Sequence, residues 1–180
     1  MTPPKNYTEL VNLFGNPSTA DLSLNRQWEA KNIVSFELPK PLHLHYQGKQ
    51  VKTIKVHALL TPPLGRLFIE IWNYARQQVK KGFPGLTTAE YDVLTQKWLD
   101  DRNLTQYGGA FTYRAMRGSD HLSMHSYGIA IDIDPEHNPL GSKKTTLPKW
   151  YINIWKKHGF FWGGDYRKRK DPMHFEYFRY

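Results

Sequence analysis

The chain has 180 residues, of which 39% are hydrophobic and 14% aromatic, a composition typical of one packed domain rather than a disordered segment. It contains no cysteine, which excludes disulfides, thiolate metal sites and cysteine nucleophiles, so a metal would need His, Asp, Glu or backbone oxygen ligands. The formal net charge of +9 indicates either an ordinary solvated basic surface or one that attracts polyanions. The late basic residues are Lys143, Lys144, Lys149, Lys156, Lys157, Arg167, Lys168, Arg169 and Lys170.

The first part of the chain is predicted to combine short strands with three helices. The turn signal Gln-Gly-Lys at residues 47–49, between two apolar runs, predicts a β-hairpin. Thr61 followed by two prolines predicts the start of a helix, and Thr87 with Glu90 forms a capping box for the next helix. The predicted elements are a helix over residues 6–14, strands within 32–57, a helix over 61–81 and a helix from 87 onward.

After residue 108 the pattern changes to short predicted strands with polar insertions. Gly159 predicts the end of a helix that begins near Pro148. The predicted elements are strands over residues 110–116, 127–133, 160–162 and 173–177, and a helix over 148–158. Because helices and strands are mixed without a strand–helix–strand rhythm, we predict an α+β fold with a small antiparallel sheet.

Two runs place polar side chains inside apolar strands. His125 and Asp132 bracket the apolar residues of the run SMHSYGIAID, and His174 lies in the aromatic run DPMHFEY. Burying such groups is costly unless each has a partner, and a metal ion would satisfy all three. Two histidines and one carboxylate leave a fourth position for water, as in catalytic zinc sites. The pattern also leaves open ordinary core or surface histidines, a non-haem iron site, and Asp134 in place of Asp132.

A carboxylate near such a metal would serve as general base. Asp171 and Glu176 are the candidates. Strand alternation places Glu176 on the same face as His174, whereas Pro172 interrupts regular pairing and would allow a turn to bring Asp171 round. The spacing leaves both candidates open.

The runs SMHSYGIAIDID, GFFWGGDY and DPMHFEY together resemble the zinc D-alanyl-D-alanine carboxypeptidase and L-alanyl-D-glutamate endopeptidase family, which includes phage endolysins and vancomycin-resistance dipeptidases. The resemblance covers roughly residues 106–180. It implies the Hedgehog/D,D-peptidase fold, a small antiparallel sheet with flanking helices. We expect residues 1–105 to pack on this catalytic part, in one compact monomeric domain.

The resemblance also implies roles for individual residues. It places one zinc per chain on His125, Asp132 and His174, and the general base on Asp171, with Glu176 second. Members of the family hold a substrate oxygen with an arginine upstream of the first ligand, and we prefer Arg114 over Arg117, although this stretch departs from the family's Gly-Tyr-Arg form. Ser123 is interpreted as a substrate contact or a support of the site. The other histidines are not expected to be ligands: His43, His45 and His57 are interpreted as surface residues, and His121, His137 and His158 as non-ligands.

The implied function is a zinc metallopeptidase that hydrolyses peptide bonds in peptidoglycan stem peptides. The alternative is a zinc-containing cell-wall-binding or interaction module without turnover, because a fold can lose its activity. A nucleic-acid binder is not expected, since no reader motif or aromatic platform is present. The bond that is cut stays open between the D-alanyl-D-alanine terminus, the L-alanyl-D-glutamate bond and a cross-bridge.

The start MTPPKNYTELVNLFG lacks a basic stretch followed by an apolar run, and no apolar stretch approaches the length of a membrane span. We therefore expect synthesis in the cytoplasm without a secretory signal. The protein is expected to act on the cell wall after release, as a phage lysin does, or on cytoplasmic wall precursors. The late basic residues are candidates for contact with an anionic cell-wall polymer.

Overall fold

The computed structural model of the protein describes residues 1–116, 118 and 121–179. Helices and short strands alternate irregularly along this part of the chain. The helices are α1 (Tyr7–Phe14), α2 (Arg26–Asn32), α3 (Thr61–Gly82), α4 (Thr88–Asp100) and α5 (Lys149–Lys157). The strands are β1 (Ile33–Glu37), β2 (Leu44–Tyr46), β3 (Lys49–Val51), β4 (Thr53–His57), β5 (Tyr107–Gly109), β6 (Ala130–Ile133), β7 (Phe161–Trp162) and β8 (His174–Glu176).

The largest sheet has four strands in the order β5-β6-β8-β7, and all its neighbours are antiparallel. Its central pair, β6 and β8, places Asp132 directly opposite His174 and Ala130 opposite Glu176. Two smaller antiparallel pairs, β1-β4 and β2-β3, come from the first part of the chain. The described chain is thus a mixture of helices and small antiparallel sheets, and its assignment to the Hedgehog/D,D-peptidase fold stays a prediction.

Strand alternation gives the four-stranded sheet one apolar and one polar face. On β8, the Phe175 ring stacks on Trp155 of α5 with ring centroids 4.4 Å apart, while the neighbouring residues on the strand, His174 and Glu176, point to the opposite face. Trp155 is fully buried and also meets Phe68 of α3 edge to face at 6.0 Å. Removing a side chain of this size from a packed core costs about 3–5 kcal/mol. Helices α3 and α5 therefore lie on the apolar side of the sheet, and the opposite face carries polar side chains.

Residues 1–105 and 106–180 contribute to the same cluster of buried apolar side chains, which contains Leu10, Phe68, Trp155 and Phe175. The first and last described residues also meet. The backbone N–H of Arg179 donates to the carbonyl oxygen of Pro4, and the Tyr177 hydroxyl donates to that of Met1. Within the described ranges, none of the helices has the length and apolar character needed to span a bilayer.

The strand predicted over residues 110–116 is wrong, because this described segment contains only an isolated bridge from Ala115 to Leu122. An irregular set of backbone and side-chain hydrogen bonds to residues 121–126 replaces the strand ladder. The Ser126 hydroxyl donates to the carbonyl of Arg114 and accepts from its N–H, and His125 binds the carbonyl of Ala110. Side-chain partners of this kind compete with regular pairing.

The strand predicted over residues 127–133 begins only at Ala130. The chain before it forms a 3-10 turn over Met124–Tyr127 that ends at Gly128, whose φ of 67° is in the left-handed region. A Cβ at this glycine would also lie 2.8 Å from the backbone nitrogen of His57, so the position requires glycine.

The surface assignment of His57 is wrong, because this residue is only 2% exposed. Its ring lies against Phe14 and Trp28. Its Nε2–H donates to the carbonyl of Phe14, and its Nδ1 accepts from the N–H of Leu59. Both ring nitrogens are satisfied, so His57 is a neutral core residue.

Candidate metal centre and cleft

Three elements bring the predicted ligands together. Asp132 on β6 and His174 on β8 are direct cross-strand partners, and such pairs place their side chains about 4.5–5.5 Å apart at Cβ. The 3-10 turn that precedes β6 carries His125. One ligand atom from each of these three residues lies within 4.8 Å of the other two, which makes them a candidate metal-binding group.

The spacing of these atoms is close to that of a metal site. Asp132 Oδ1 lies 2.9 Å from His174 Nδ1, and Asp132 Oδ2 lies 3.2 Å from His125 Nε2. In a tetrahedral zinc site with bonds of about 2.0–2.1 Å, the ligand atoms are roughly 3.3 Å apart. Both histidines are buried, and the Asp132 side chain is 17% exposed. A cation could therefore be held by all three residues without rearrangement of the backbone.

The outer hydrogen bonds orient each imidazole so that one nitrogen faces the centre. The Nδ1–H of His125 donates to the carbonyl oxygen of Ala110, which leaves Nε2 unprotonated in the neutral ring. That Nε2 is buried and has no hydrogen-bond partner among the described residues. His174 Nε2 lies 3.2 Å from Glu176 Oε2, so Nδ1 is the nitrogen that faces Asp132. This pattern of ligand and supporting partner is common at metal sites.

The electrostatics of the group depend on whether a proton or a metal occupies it. Burial lowers the pKa of His174, but the hydrogen bonds and charges of Asp132 and Glu176 outweigh burial and raise it to about 10. Burial likewise raises the pKa of Asp132, yet the two neighbouring histidines, His125 and His174, hold it well below its usual range. A metal ion would have to displace the proton of His174, which makes metal binding pH-dependent.

A cleft of about 320 Å³ opens beside the candidate ligands. Four of the predicted site residues, Arg114, Ser123, Asp171 and Glu176, line it together with Asp132 and His174. The other residues that line it are Met116, Met124, Leu140, Tyr166, Arg169 and Met173.

A turn brings Asp171 back toward His174. The N–H of His174 donates to the carbonyl of Asp171 at 3.0 Å, and the N–H of Asp171 donates to the carbonyl of Gly163 at 2.9 Å. A Cβ at Gly163 would approach the carbonyl of Asp171 to 2.4 Å, so this contact requires glycine. The Oδ1 atom of Asp171 is buried and unpartnered within the described residues. Burial and the charge of Asp132, opposed by the histidines, raise the pKa of Asp171 to about 6.

Glu176 lies on the face of β8 that strand alternation predicts, but its carboxylate contacts Tyr166 and the outer nitrogen of His174. It is 2% exposed, and its Oε1 accepts a hydrogen bond of 2.6 Å from the Tyr166 hydroxyl. Its Oε2 lies beside His174 Nε2, on the ring nitrogen that faces away from Asp132. The contacts of Glu176 are those of a residue that orients His174.

The remaining predicted residues occupy different positions. Ser123 is buried and caps the 3-10 turn, since its hydroxyl accepts from the N–H of His125 at 3.4 Å. Arg114 is exposed at the cleft, and within the described part of the chain its guanidinium donates only a long hydrogen bond of 3.4 Å, to the carbonyl of Ala115. Arg117 lies outside the described residues.

Asp134 does not join the candidate ligands. The strand β6 ends at Ile133, and Asp134 turns away with a φ of 49°. Its carboxylate contacts His137 at 2.7 Å and Asn138 at 3.0 Å. The alternative that Asp134 replaces Asp132 as a ligand is therefore wrong for this geometry. His158 contacts Glu70 instead of the cleft.

Sequence reasoning missed Tyr166 and Arg169 as cleft residues. Tyr166 stands in the run GFFWGGDY, so the motif marked the segment, but no periodicity indicates that its hydroxyl reaches Glu176. Arg169 was assigned only to the late basic stretch.

The donor set, the burial and the neighbouring carboxylate define a candidate mononuclear metal centre of the hydrolytic type. The sequence of residues 117–177, about a third of the chain, matches the model of a family described as D-alanyl-D-alanine carboxypeptidase. This range includes His125, Asp132, Asp171 and His174, and the match supports the predicted peptidase family in coarse terms. No curated protein and no solved structure matches the chain significantly.

Proposed function

We propose that the protein is a zinc metallopeptidase that hydrolyses peptide bonds in peptidoglycan stem peptides. The observation that carries this proposal is the convergence of His125, Asp132 and His174 on one point, with the buried Nε2 of His125 left without a hydrogen-bond partner in the described structure. The family match over the same residues supports the hydrolytic assignment.

In this proposal His125, Asp132 and His174 hold the zinc. When bound, zinc supplies a Lewis acid that activates a water molecule and polarises the substrate carbonyl. Ala110 and Glu176 keep the imidazoles in the tautomers that present their free nitrogens to the centre. The apolar layer behind the sheet, with Phe175 and Trp155, fixes the strand that carries His174.

Asp171 is proposed as the general base. Its free, buried Oδ1 is available to take a proton from the attacking water and return it to the leaving amine. A pKa of about 6 suits both transfers near neutral pH, because neither protonation state is strongly disfavoured. Glu176 is less suited to this role, since both of its oxygens already have partners.

Arg114 is proposed to bind a substrate oxygen at the mouth of the cleft. A guanidinium can bind a carbonyl or a carboxylate through two hydrogen bonds. Arg169 adds a second cation to the lining of the cleft. Two cations suit a substrate that carries a carboxylate near the scissile bond, as stem peptides do. The description of the matching family as D-alanyl-D-alanine carboxypeptidase favours the D-alanyl-D-alanine bond, with the L-alanyl-D-glutamate bond as the second candidate.

The proposal also covers how the protein binds the cell wall and where it acts. Arg169 lines the cleft, and the exposed Arg167 and Lys168 come just before it in the chain; these cations would attract an anionic cell-wall polymer in a salt-dependent manner. We propose that the protein works as a monomer, on the wall after release from the cell or on wall precursors.

The test is digestion of purified peptidoglycan, with identification of the new peptide termini by mass spectrometry. The wild type, treated with zinc, with a chelator, or with a chelator followed by zinc, is compared with His174→Ala. We expect new termini only when zinc and His174 are both present, and their identity gives the bond. Binding to peptidoglycan without any new terminus would instead support the alternative, a zinc-containing binding module without turnover.

A further inference from the structure

A second group of potential metal ligands lies outside the cleft. His43 immediately precedes β2, and His45 lies within it. Their rings meet edge to face at 5.1 Å. Asp100 ends helix α4 beside them, and one ligand atom from each of the three residues lies within 4.8 Å of the other two. The interpretation of both histidines as surface residues holds only in part, since each is half-buried.

Supporting hydrogen bonds hold this second group in place from two sides. The side chain of Gln96, only 7% exposed, accepts from the backbone N–H of His43 and donates to its carbonyl. The same Gln96 amide also donates to Asp100 Oδ1 at 2.9 Å, which ties the carboxylate to the strand. The Thr105 hydroxyl donates to Asp100 as well, and the Thr105 carbonyl accepts from the N–H of His45.

One nitrogen in this group has no hydrogen-bond partner among the residues that the structure describes. His45 Nδ1 is buried and lies 3.5 Å from Asp100 Oδ1 without the geometry of a hydrogen bond. A buried polar atom of this kind destabilises the fold when it is unsatisfied, and a bound cation would satisfy it. The candidate ligand His125 in the cleft shows the same feature.

We propose that His43, His45 and Asp100 form a second metal site, which takes a divalent first-row cation of the zinc class. Two imidazoles and one carboxylate suit zinc, and nickel or copper would also be accepted. The side chains of His45 and Asp100 are 23% and 30% exposed, so water completes the coordination and the ion exchanges more readily than at the cleft. A bound ion here cross-links β2 to the end of α4, and the proposal is independent of the peptidase function.

The test is the zinc content of the full chain after chelator treatment and equilibration with excess free zinc, measured by elemental mass spectrometry. We expect about two zinc ions per wild-type chain and about one in the double variant His43→Gln, His45→Gln. His125→Ala should also retain about one, and the combination of all three changes should retain none. His137→Gln is the matched control, because it removes another histidine that contacts an aspartate, and it should keep two.

A second variant guards against loss of the fold. Asp100→Asn keeps an oxygen for Gln96 and Thr105 but removes the charge, and it should lower the zinc affinity of the second site at least tenfold with an unchanged circular dichroism spectrum. The proposal is overturned if the wild type binds one zinc and His125→Ala binds none, or if the second zinc survives the double variant. Failure of the peptidase proposal is recognised separately, as two bound zinc ions without turnover.

Discussion

Replacing Asp171 by Asn tests the proposed chemistry most directly. The change keeps the shape of the side chain and removes the proton acceptor. Because Oδ1 of Asp171 has no partner in the described structure and the backbone bonds to Gly163 and His174 are unaffected, neither folding nor zinc content should change. The loss of a general base lowers turnover by about two to four orders of magnitude, which corresponds to about 3–5 kcal/mol of transition-state stabilisation.

Glu176→Gln is the matched control, and the structure predicts a different kind of defect. The carboxylate of Glu176 faces two donors, the Tyr166 hydroxyl and the Nε2–H of His174. A glutamine offers only one oxygen, so its amide group would face one of these donors. We expect zinc affinity to fall by about 10–100-fold, the usual cost of losing a partner of a metal-bound histidine. Added zinc should therefore restore turnover in Glu176→Gln and not in Asp171→Asn.

The assay follows the release of new termini from peptidoglycan across a zinc titration, with bound zinc and thermal unfolding measured in parallel. If Asp171→Asn keeps most of its turnover while Glu176→Gln stays inactive at saturating zinc, the base is Glu176. If both variants remain active, neither carboxylate is the base and the proposed mechanism fails.

Three further predictions concern the metal, the substrate and the core. His125→Ala and His174→Ala should each lose the cleft zinc by elemental analysis, and full retention in both would contradict the ligand assignment. Arg114→Lys should lower turnover by about one to three orders of magnitude with zinc intact, because lysine cannot make the two-point contact; a larger defect in Arg117→Lys would move the role to that residue. Burial lowers the pKa of His57 despite its hydrogen bond to a carbonyl. As the pH falls, His57 is therefore protonated at a higher pH in the unfolded chain than in the folded chain. The free energy of unfolding in urea should therefore fall as the pH drops below about 6.5, and His57→Gln should flatten this part of the curve.

The candidate site could be located from sequence because it breaks the apolar pattern. His125, Asp132 and His174 interrupt short runs whose other residues are mostly buried, and the structure brings these three side chains together. Their roles stay predictions. Alternation along β8 also indicated the face on which Glu176 lies. Alternation cannot indicate that this carboxylate contacts Nε2 of His174, the ring nitrogen that faces away from Asp132, because that contact depends on side-chain torsions.

The errors have specific physical causes. The strand predicted over residues 110–116 is replaced by hydrogen bonds from Ser126 and His125, which come from a segment more than ten residues away. Helix α2 was missed although Asn25 caps it and its sequence permits a helix, because it is only seven residues long and runs directly into β1. His57 was misplaced because its partners, Phe14 and Leu59, satisfy it only in the folded chain.

The contact between the first and last described residues has a practical consequence for engineering. Since Pro4 and Arg179 are hydrogen-bonded neighbours, a short peptide linker could join the segments that contain them. New ends could then be opened in the exposed turn over residues 83–87, between α3 and α4. Such a circular permutant would place β8, with His174, in the middle of the polypeptide and far in sequence from the newly opened ends.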